Sequence, residues 1–295
     1  MFEVKVIRHI RQRDGCGNLF DSAPLRLLHL GLHAAALSWL AYHAAATHSA
    51  VNSGSMVSLY REDVAHIQAV GFGDFARSAA PEILRVLRSG AIPVRRVVEV
   101  GCGAGPLTAV LVSAGFEVTA IDVSGELLRL ARAASPVAEF VEGSIYDVEI
   151  PACDAILAIG EPLTYHDNED GDSRLQEFFR LASDVLPKGG MLIFDLIELG
   201  EPSLCARSWK SGDDWAVLLE TTEDQRLHTL VREIETFRKV GDGYRRRRET
   251  HRVRLFDTSE VCRWLEAAGF HANTAVGYGE FRLPPRRRAF FCARR

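Results

Sequence analysis

The chain has 295 residues, of which 47% are hydrophobic, so it is long enough to bury a sizeable core without disulfides or structural metal. Its formal net charge of −4 at pH 7 argues against a protein that coats nucleic acid, because such proteins usually carry a marked basic excess. The six cysteines form no C-x-x-C pair, which argues against a zinc site or a disulfide framework and predicts reduced thiols in a cytoplasmic protein with no bound metal.

Residues 1–55 are interpreted as an N-terminal extension. No Asp, Glu, Lys or Arg occurs from Leu27 to Tyr60, so an export signal and a soluble amphipathic helix both have to be considered. The histidines within this segment and the long leader before it favour the helix, and no membrane partner is expected. A third interpretation is that translation starts at Met56 and that the extension lies outside the functional core.

The pattern from Tyr60 to Val70 predicts a helix, and a second helix is expected from Pro81 to Leu87. Between them, Gly71-Phe72-Gly73-Asp74-Phe75 predicts a glycine-hinged aromatic turn that could close over a ligand. The alternative is that Phe72 and Phe75 only anchor the segment to the core. With Tyr60, these two phenylalanines are the candidate substrate or lid residues.

The segment Arg96–Pro106 predicts a strand, a tight turn and a helix. Its β-branched run ends in three alternating glycines, and Pro106 suits the first position of a helix. Further strands are expected at 116–122, 138–141, 154–159 and 191–196, with helices between them. Strands that alternate with helices at these spacings indicate crossover units and a parallel sheet.

After the fifth strand the pattern changes to polar-alternating β-rich segments at 215–220, 226–240 and 244–256, joined by turns such as Gly241-Asp242-Gly243. These segments predict antiparallel hairpins in residues 201–256 that lie over the site like a lid. The core would then comprise residues 56–200 and 257–295, with a last helix from Asp257 to Gly269 and strands at 273–278 and 289–293.

Ligands of open parallel sheets bind at the carboxyl ends of the strands, where the strand order reverses. The glycine turn at Gly101 and the acid Asp122, roughly twenty residues later, meet there and suit an adenosine-containing cofactor. Pro106 stands where the G-x-G-x-x-G dinucleotide fingerprint has its third glycine. Glu99, just before the turn, suits a cationic ligand end such as a sulfonium better than a pyrophosphate.

Glu99-Val100-Gly101-Cys102-Gly103-Ala104-Gly105 resembles the first motif of the class I S-adenosylmethionine-dependent methyltransferases. Asp122 resembles their ribose-binding acid, and residues 186–190 resemble the segment before their fifth strand. The 71–76 turn and the hairpins resemble a bacterial small-molecule branch. The resemblance implies an α/β fold with a Rossmann-like, mostly parallel seven-stranded sheet, helices on both faces and an inserted antiparallel β lid. It also implies S-adenosyl-L-methionine as methyl donor, S-adenosyl-L-homocysteine as product and a small-molecule acceptor.

The resemblance further implies a role for each matching residue. The methionine end of the donor would lie against Glu99, Gly101, Cys102 and Gly103, its ribose against Asp122 and Val123, and its adenine against Ser144 and Ile145. Ile159, Gly160 and Glu161 would close the site after the fourth strand. Many relatives have Asp where Ser144 stands, and a serine makes the weaker hydrogen bond.

The acceptor stays open at this point. A general base is needed only if the acceptor must lose a proton, and the candidates are Glu161, Tyr165, His166 and His251, with Tyr165 and His166 preferred. The run Arg245–Arg248 is the main argument for an RNA methyltransferase, although nearby glutamates could neutralise it across hairpin strands. A third function to consider is a non-catalytic cofactor-binding module. In each case the chain could also assemble as a homodimer.

Overall fold

The computed structural model describes residues 59–165 and 171–295. The predictions for residues 1–55, for a start at Met56 and for His166 lie outside these ranges. Among the described residues, no helix has both the length and the apolar character needed to cross a membrane.

The described chain contains a mixed seven-stranded sheet and an inserted four-stranded sheet. The helices are α1 (Glu62–Gly71), α2 (Asp74–Arg88), α3 (Pro106–Ser113), α4 (Gly125–Ala134), α5 (Gly171–Val185) and α6 (Thr258–Ala267). The strands are β1 (Arg96–Val100), β2 (Glu117–Asp122), β3 (Glu139–Glu142), β4 (Ala155–Ala158), β5 (Met191–Ile197), β6 (Cys205–Ser211), β7 (Trp215–Asp224), β8 (Thr229–Val240), β9 (Gly243–Arg254), β10 (Phe270–Ala275), β11 (Gly277–Tyr278), β12 (Phe281–Arg282) and β13 (Arg287–Arg294).

The large sheet has the strand order β10-β13-β5-β4-β1-β2-β3. Strands β1 to β5 run parallel, while β13 is antiparallel to both β5 and β10. The predicted Rossmann-like, mostly parallel seven-stranded sheet is therefore confirmed. The strand order reverses between β1 and β4, so the carboxyl ends of these two strands flank the crevice where ligands of such sheets bind.

Hydrophobic layers cover both faces of the large sheet. On one face, α5 and α6 bury Phe178, Phe179 and Leu265 against strand residues such as Phe194. On the other, α2, α3 and α4 pack against the alternate strand residues, with Ile83, Leu87, Leu107, Leu111 and Leu128 buried among them. Because successive strand residues point to opposite faces, a central strand must be apolar at every position, as β5 is for all but one of its residues.

The inserted sheet follows β5, as predicted, and all its neighbouring strands are antiparallel, in the order β6-β7-β8-β9. Strand β6 was not predicted, because all of its residues are exposed and its sequence has no apolar alternation. The insert begins and ends beside one isolated parallel bridge between Glu198 and Phe256. The domain limits of 201–256 for the lid and of 56–200 with 257–295 for the core stay a prediction.

Two elements differ most from the sequence analysis. Helix α2 begins at Asp74, and Pro81 lies inside it rather than at its start. The predicted strand 273–278 is instead β10, which begins at Phe270, followed by the separate short strand β11. In both cases local turn signals were outweighed by tertiary packing, since Ala79, Ala80 and Phe270 are buried.

Helix α1 fastens the chain to the inserted sheet. Val64 and Ile67 pack against Trp215, Val217 and Ile234, which belong to β7 and β8. Asp63, in the first turn, has both carboxylate oxygens bonded by the guanidinium of Arg245, whose Nε lies 2.7 Å from Oδ2. These contacts place the segment just before α1 over the crevice of the large sheet.

Candidate active site

The glycine turn after β1 is a tightly constrained backbone bend. Gly101 and Gly103 have φ angles of 67° and 57°, in the left-handed region that side chains disfavour. A Cβ at Gly101 would lie 2.3 Å from Cβ of Pro162, whereas a Cβ at Gly103 would meet nothing within 4 Å. Gly101 is therefore needed for packing against the loop after β4, and the open space beside Gly103 lets a ligand approach the backbone.

Asp122 closes β2 beside this turn. Its Oδ2 accepts the Gly103 N–H at 2.8 Å and its Oδ1 accepts the Ser124 N–H at 2.9 Å. Each carboxylate oxygen has a second lone pair, so the group can still accept two ribose hydroxyls. Burial raises the pKa of Asp122, and the backbone N–H bonds oppose that shift. The residues thus fit an adenosine moiety at this place.

Glu99 lies just beneath the glycine turn and is buried. Its Oε2 accepts the Thr108 hydroxyl at 2.5 Å. Burial raises the pKa of Glu99 to about 8, the bond from Thr108 opposes the rise, and the nearby Asp122 charge adds to it. A cationic ligand end placed beside Glu99 would lower this pKa again, which fits the sulfonium expected from the sequence.

The remaining predicted cofactor residues lie around the same crevice, with one exception. Cys102, Val123 and Ile145 line it, and burial raises the pKa of the Cys102 thiol, so this cysteine is suited to packing and not to nucleophilic attack. Ser144 is not among the lining residues, and its hydroxyl accepts the Tyr146 N–H at 3.2 Å. The roles assigned to these residues stay predictions.

Glu161, in the loop after β4, is the centre of an ion-pair network. It is buried, has a φ of 65°, and contacts Arg232 of β8 at 2.6 Å and Arg287 of β13 at 2.7 Å. Ile159 and Gly160 precede it on the same loop and also line the crevice. The loop after β4 is thus held against both the inserted sheet and the C-terminal strand.

Asp195 of β5 completes this network from below. Its Oδ1 accepts the Gly160 N–H at 2.7 Å and the Tyr278 hydroxyl at 2.6 Å, and its Oδ2 lies 3.5 Å from Arg287. Burial raises the pKa of Asp195, while the charge of Arg287 opposes the shift. The network orders the loop after β4, which lies at the carboxyl end of that strand and faces the ligand crevice.

Three rings gather on the opposite wall. The hydroxyls of Tyr60 and Tyr165 lie 3.0 Å apart, and Nη1 of Arg232 donates to the Tyr165 hydroxyl at 3.0 Å. The His251 ring centroid is 4.8 Å from that of Tyr60 and 5.9 Å from that of Tyr165. The sequence candidates Tyr60, Tyr165 and His251 are therefore brought together, although they are far apart along the chain.

The inserted sheet supplies much of this wall, from alternate residues on β7 and β8. The lining residues on its strands include Ser208, Lys210, Val217, Leu219, Arg232, Ile234, Thr236 and His251. Phe72 and Phe75 line the crevice from the side of α1 and α2, and the Lys210 ammonium lies 4.7 Å from the Phe72 ring centroid. The glycine turn, Asp122, the β4 loop and this wall enclose one cavity of about 1090 Å³.

Sequence reasoning missed three residues of the site: Arg232, Arg287 and Asp195. Each is a charged residue in a β-rich segment, where the alternation of side chains along a strand indicates only which face of the sheet the residue is on. The signal that could have found Asp195 is an acid inside an otherwise apolar strand, Met191–Ile197. An ion pair between strands that are distant in the chain has no signal in a single sequence.

The arginine run of β9 is used in ion pairs. Arg245 contacts Asp63, and Arg246 and Arg248 both contact Glu235. Glu235 is one of the nearby glutamates expected to neutralise the run, whereas Asp63 was not foreseen. Paired arginines offer little charge to a phosphate backbone, which weakens the case for nucleic acid.

Residues 97–190 match the family model described as a methyltransferase domain. This match runs from β1 to the turn before β5 and concerns a methyltransferase domain. A candidate methyltransferase of Geobacillus sp. (strain WCH70) is 26% identical over 194 residues, which cover 60% of this chain and 74% of the relative. The resemblance found in the glycine turn is thereby confirmed.

Solved methyltransferase structures share the fold of the domain. An S-adenosylmethionine-dependent methyltransferase from Clostridium acetobutylicum ATCC 824 aligns with a TM-score of 0.66 at 18% identity, over 78% of this chain and 96% of that chain. The sugar N-methyltransferase KedS8 from Streptoalloteichus sp. ATCC 53650 aligns with a TM-score of 0.65 at 18% identity, over 84% of this chain and 97% of that chain. At these identities the likeness concerns the fold.

Proposed function

We propose that this methyltransferase binds S-adenosyl-L-methionine at the glycine turn and transfers its methyl group to a small molecule held under the inserted sheet. One observation carries the proposal: a single cavity of about 1090 Å³ contains both the turn with Asp122 and the aromatic wall of Tyr60, Tyr165 and His251. Pockets for one drug-sized ligand usually measure ~300–1,000 Å³, so this cavity can hold a donor together with an acceptor.

The donor end of the cavity would hold the cofactor through the groups already described. Backbone N–H groups of the turn and the carboxylate of Asp122 would bind its ribose, and Glu99 would face its cationic end. When bound, S-adenosyl-L-methionine supplies an already activated methyl group, and S-adenosyl-L-homocysteine is the product. The task left to the chain is to align an acceptor and to exclude water.

The acceptor end is formed by residues that are held rigidly. Glu161 is fixed between Arg232 and Arg287, and Tyr165 is fixed by Arg232. Phe72 and Phe75 add apolar surface at the side. A small molecule is favoured over RNA because the acceptor end lies inside a cavity, and because the arginines of β9 are paired with acids. A homodimer stays a prediction.

Calorimetry of the full chain with S-adenosyl-L-methionine tests the donor site. We expect the wild type to bind and Asp122→Ala to lose at least tenfold in affinity, about 1.4 kcal/mol, because the ribose hydroxyls lose a charged acceptor. Glu142→Ala is the matched control, since Glu142 ends the neighbouring strand β3 and is exposed. Equal affinities of the two variants would contradict the assignment of Asp122.

Product analysis separates an enzyme from a binding module. A methyltransferase releases S-adenosyl-L-homocysteine when a suitable acceptor is added, whereas a non-catalytic module binds the donor and releases none. Retention on immobilised RNA that disappears with salt would favour an RNA acceptor instead.

A further inference from the structure

We infer that His251 is the general base of the methyl transfer and that the acceptor is an uncharged phenolic hydroxyl on an apolar ring. This inference rests on the proposed function and adds the acceptor class to it. Its basis is the pairing of His251 with Glu249 on β9, together with the charge balance and the apolar lining of the acceptor end.

His251 is held in one orientation by a carboxylate. Its Nε2 lies 3.1 Å from Oε2 of Glu249, and both residues are buried. Glu249 also accepts the Tyr60 N–H and the Arg61 N–H, each at 3.0 Å, so donors converge on both of its oxygens. A carboxylate can only accept, and therefore Nε2 carries the hydrogen. The other ring nitrogen, Nδ1, therefore carries no hydrogen and keeps a lone pair that can accept a proton. His251 is one of the residues that line the cavity.

The charges next to His251 are already paired among the described residues, whereas the Lys210 ammonium on β6 contacts the Gly71 carbonyl and the Phe72 ring. Glu161 has two arginine partners, and Arg287 also lies near Asp195. Arg232 stands directly opposite His251 across the β8–β9 pair and bonds both Glu161 and Tyr165. A charged reacting group placed beside His251 would have to break one of these pairs, which favours an uncharged reacting group.

The side chains that line the acceptor end indicate which kind of molecule carries the reacting group. The wall beside the ring residues includes a group of apolar side chains, namely Val64, Ile67, Val217, Leu219 and Ile234, next to the polar side chains of Ser208, Lys210 and Thr236. A flat apolar ring packs well against such a wall and against the rings of Tyr60 and Tyr165. A phenolic hydroxyl, with a pKa of about 10, is protonated near neutral pH but is within reach of an imidazole base, unlike an aliphatic alcohol.

The step balances in atoms and charge. The phenolic oxygen bonds to the methyl carbon of the donor as the carbon–sulfur bond breaks, and the electron pair of that bond passes to sulfur. The phenolic proton passes to Nδ1 of His251. The products are a methyl ether, neutral S-adenosyl-L-homocysteine and an imidazolium that the carboxylate of Glu249 stabilises.

The activity test uses S-adenosyl-L-methionine with phenol, 4-nitrophenol and benzylamine as probes, at a mildly alkaline pH where 4-nitrophenol is largely ionised. We expect His251→Gln to lower kcat for phenol by ~10²–10⁴-fold, and to lower it much less for 4-nitrophenol, which has already lost its proton. Donor affinity should change less than about twofold, since His251 lies outside the donor end. The matched control His271→Gln, at an exposed position of β10, should change neither quantity.

A second measurement does not depend on activity. In ¹⁵N spectra of histidine-labelled protein, the His251 signals should show the tautomer with hydrogen on Nε2, and adding 4-nitrophenol should shift them. Glu249→Gln should change the tautomer populations of His251, because Glu249 positions the ring through its contact with Nε2.

Three outcomes would overturn the inference: equal loss of kcat for both phenols in His251→Gln, faster methylation of benzylamine than of phenol, or no turnover of either phenol by protein that binds the donor. Failure to bind S-adenosyl-L-methionine at all would instead overturn the proposed function. Should His251→Gln unfold, the ¹⁵N spectra of the wild type still decide the tautomer and the contact with the phenol.

Discussion

The buried carboxyl of Glu99 should make the stability of the chain fall as the pH rises. Its pKa is raised by burial to about 8 in the folded chain, against an ordinary value of 4.5. Between these two pH values Glu99 is protonated in the folded chain and ionised in the unfolded chain. The stabilisation that is fully present below the ordinary pKa is therefore lost as the pH rises toward 8. In this range the free energy of unfolding falls by ~1.36 kcal/mol per pH unit, which is about 2.7 kcal/mol between about pH 5.5 and 7.5.

Urea unfolding of wild type and Glu99→Gln at several pH values measures this effect. A glutamine has the same shape, still accepts the Thr108 hydroxyl and does not titrate, so its advantage over the wild type should grow by about 2.7 kcal/mol across that range. Glu117→Gln, at an exposed acid of β2, serves as control and should run parallel to the wild type. Parallel profiles for Glu99→Gln and the wild type would refute a buried, protonated Glu99.

Three further outcomes are expected. Asp63→Asn should lower the free energy of unfolding by about 2–3 kcal/mol in urea, because it removes the charge from a buried acid that arginines surround; a change below about 0.5 kcal/mol would contradict this. Gly101→Ala should destabilise the chain more than Gly241→Ala in thermal unfolding, since both need a positive φ but only the first places its Cβ 2.3 Å from the Pro162 ring; the reverse order would refute the packing argument. Tyr165→Phe should weaken acceptor binding about tenfold without changing donor affinity, as seen in KM and in calorimetry, and an unchanged KM would speak against a role in the acceptor end.

The parallel half of the fold could be predicted because its signals are local. A β-branched strand, the three glycines and Pro106 follow one another within Arg96–Pro106, and the same short-range logic places Asp122 at the end of the next strand. Gly105 takes a φ of 79° directly before the helix that Pro106 opens. Each of these residues has a conformational reason that does not depend on the rest of the chain.

The acceptor end could be predicted only in part, because it depends on contacts between distant segments. The sequence singled out Tyr60, Tyr165 and His251 separately, and it could not indicate that their rings pack together. Arg232 went unnoticed because a lone arginine in a strand resembles any solvated position. Its partner Glu161 lies 71 positions away in the chain, so the pair follows from the topology of the insert.

The inserted sheet also has a consequence for how acceptor preference can be changed. Residues that line the cavity, such as Arg232, Ile234 and Thr236 on β8, alternate with residues on the outer face of the sheet. Neighbouring strands lie ~4.8 Å apart and successive inward residues ~6.8 Å apart, so the wall is a regular grid of side chains. Each grid position can be exchanged while the large sheet and its glycine turn keep their sequence, which makes the insert a natural target for redesigning specificity.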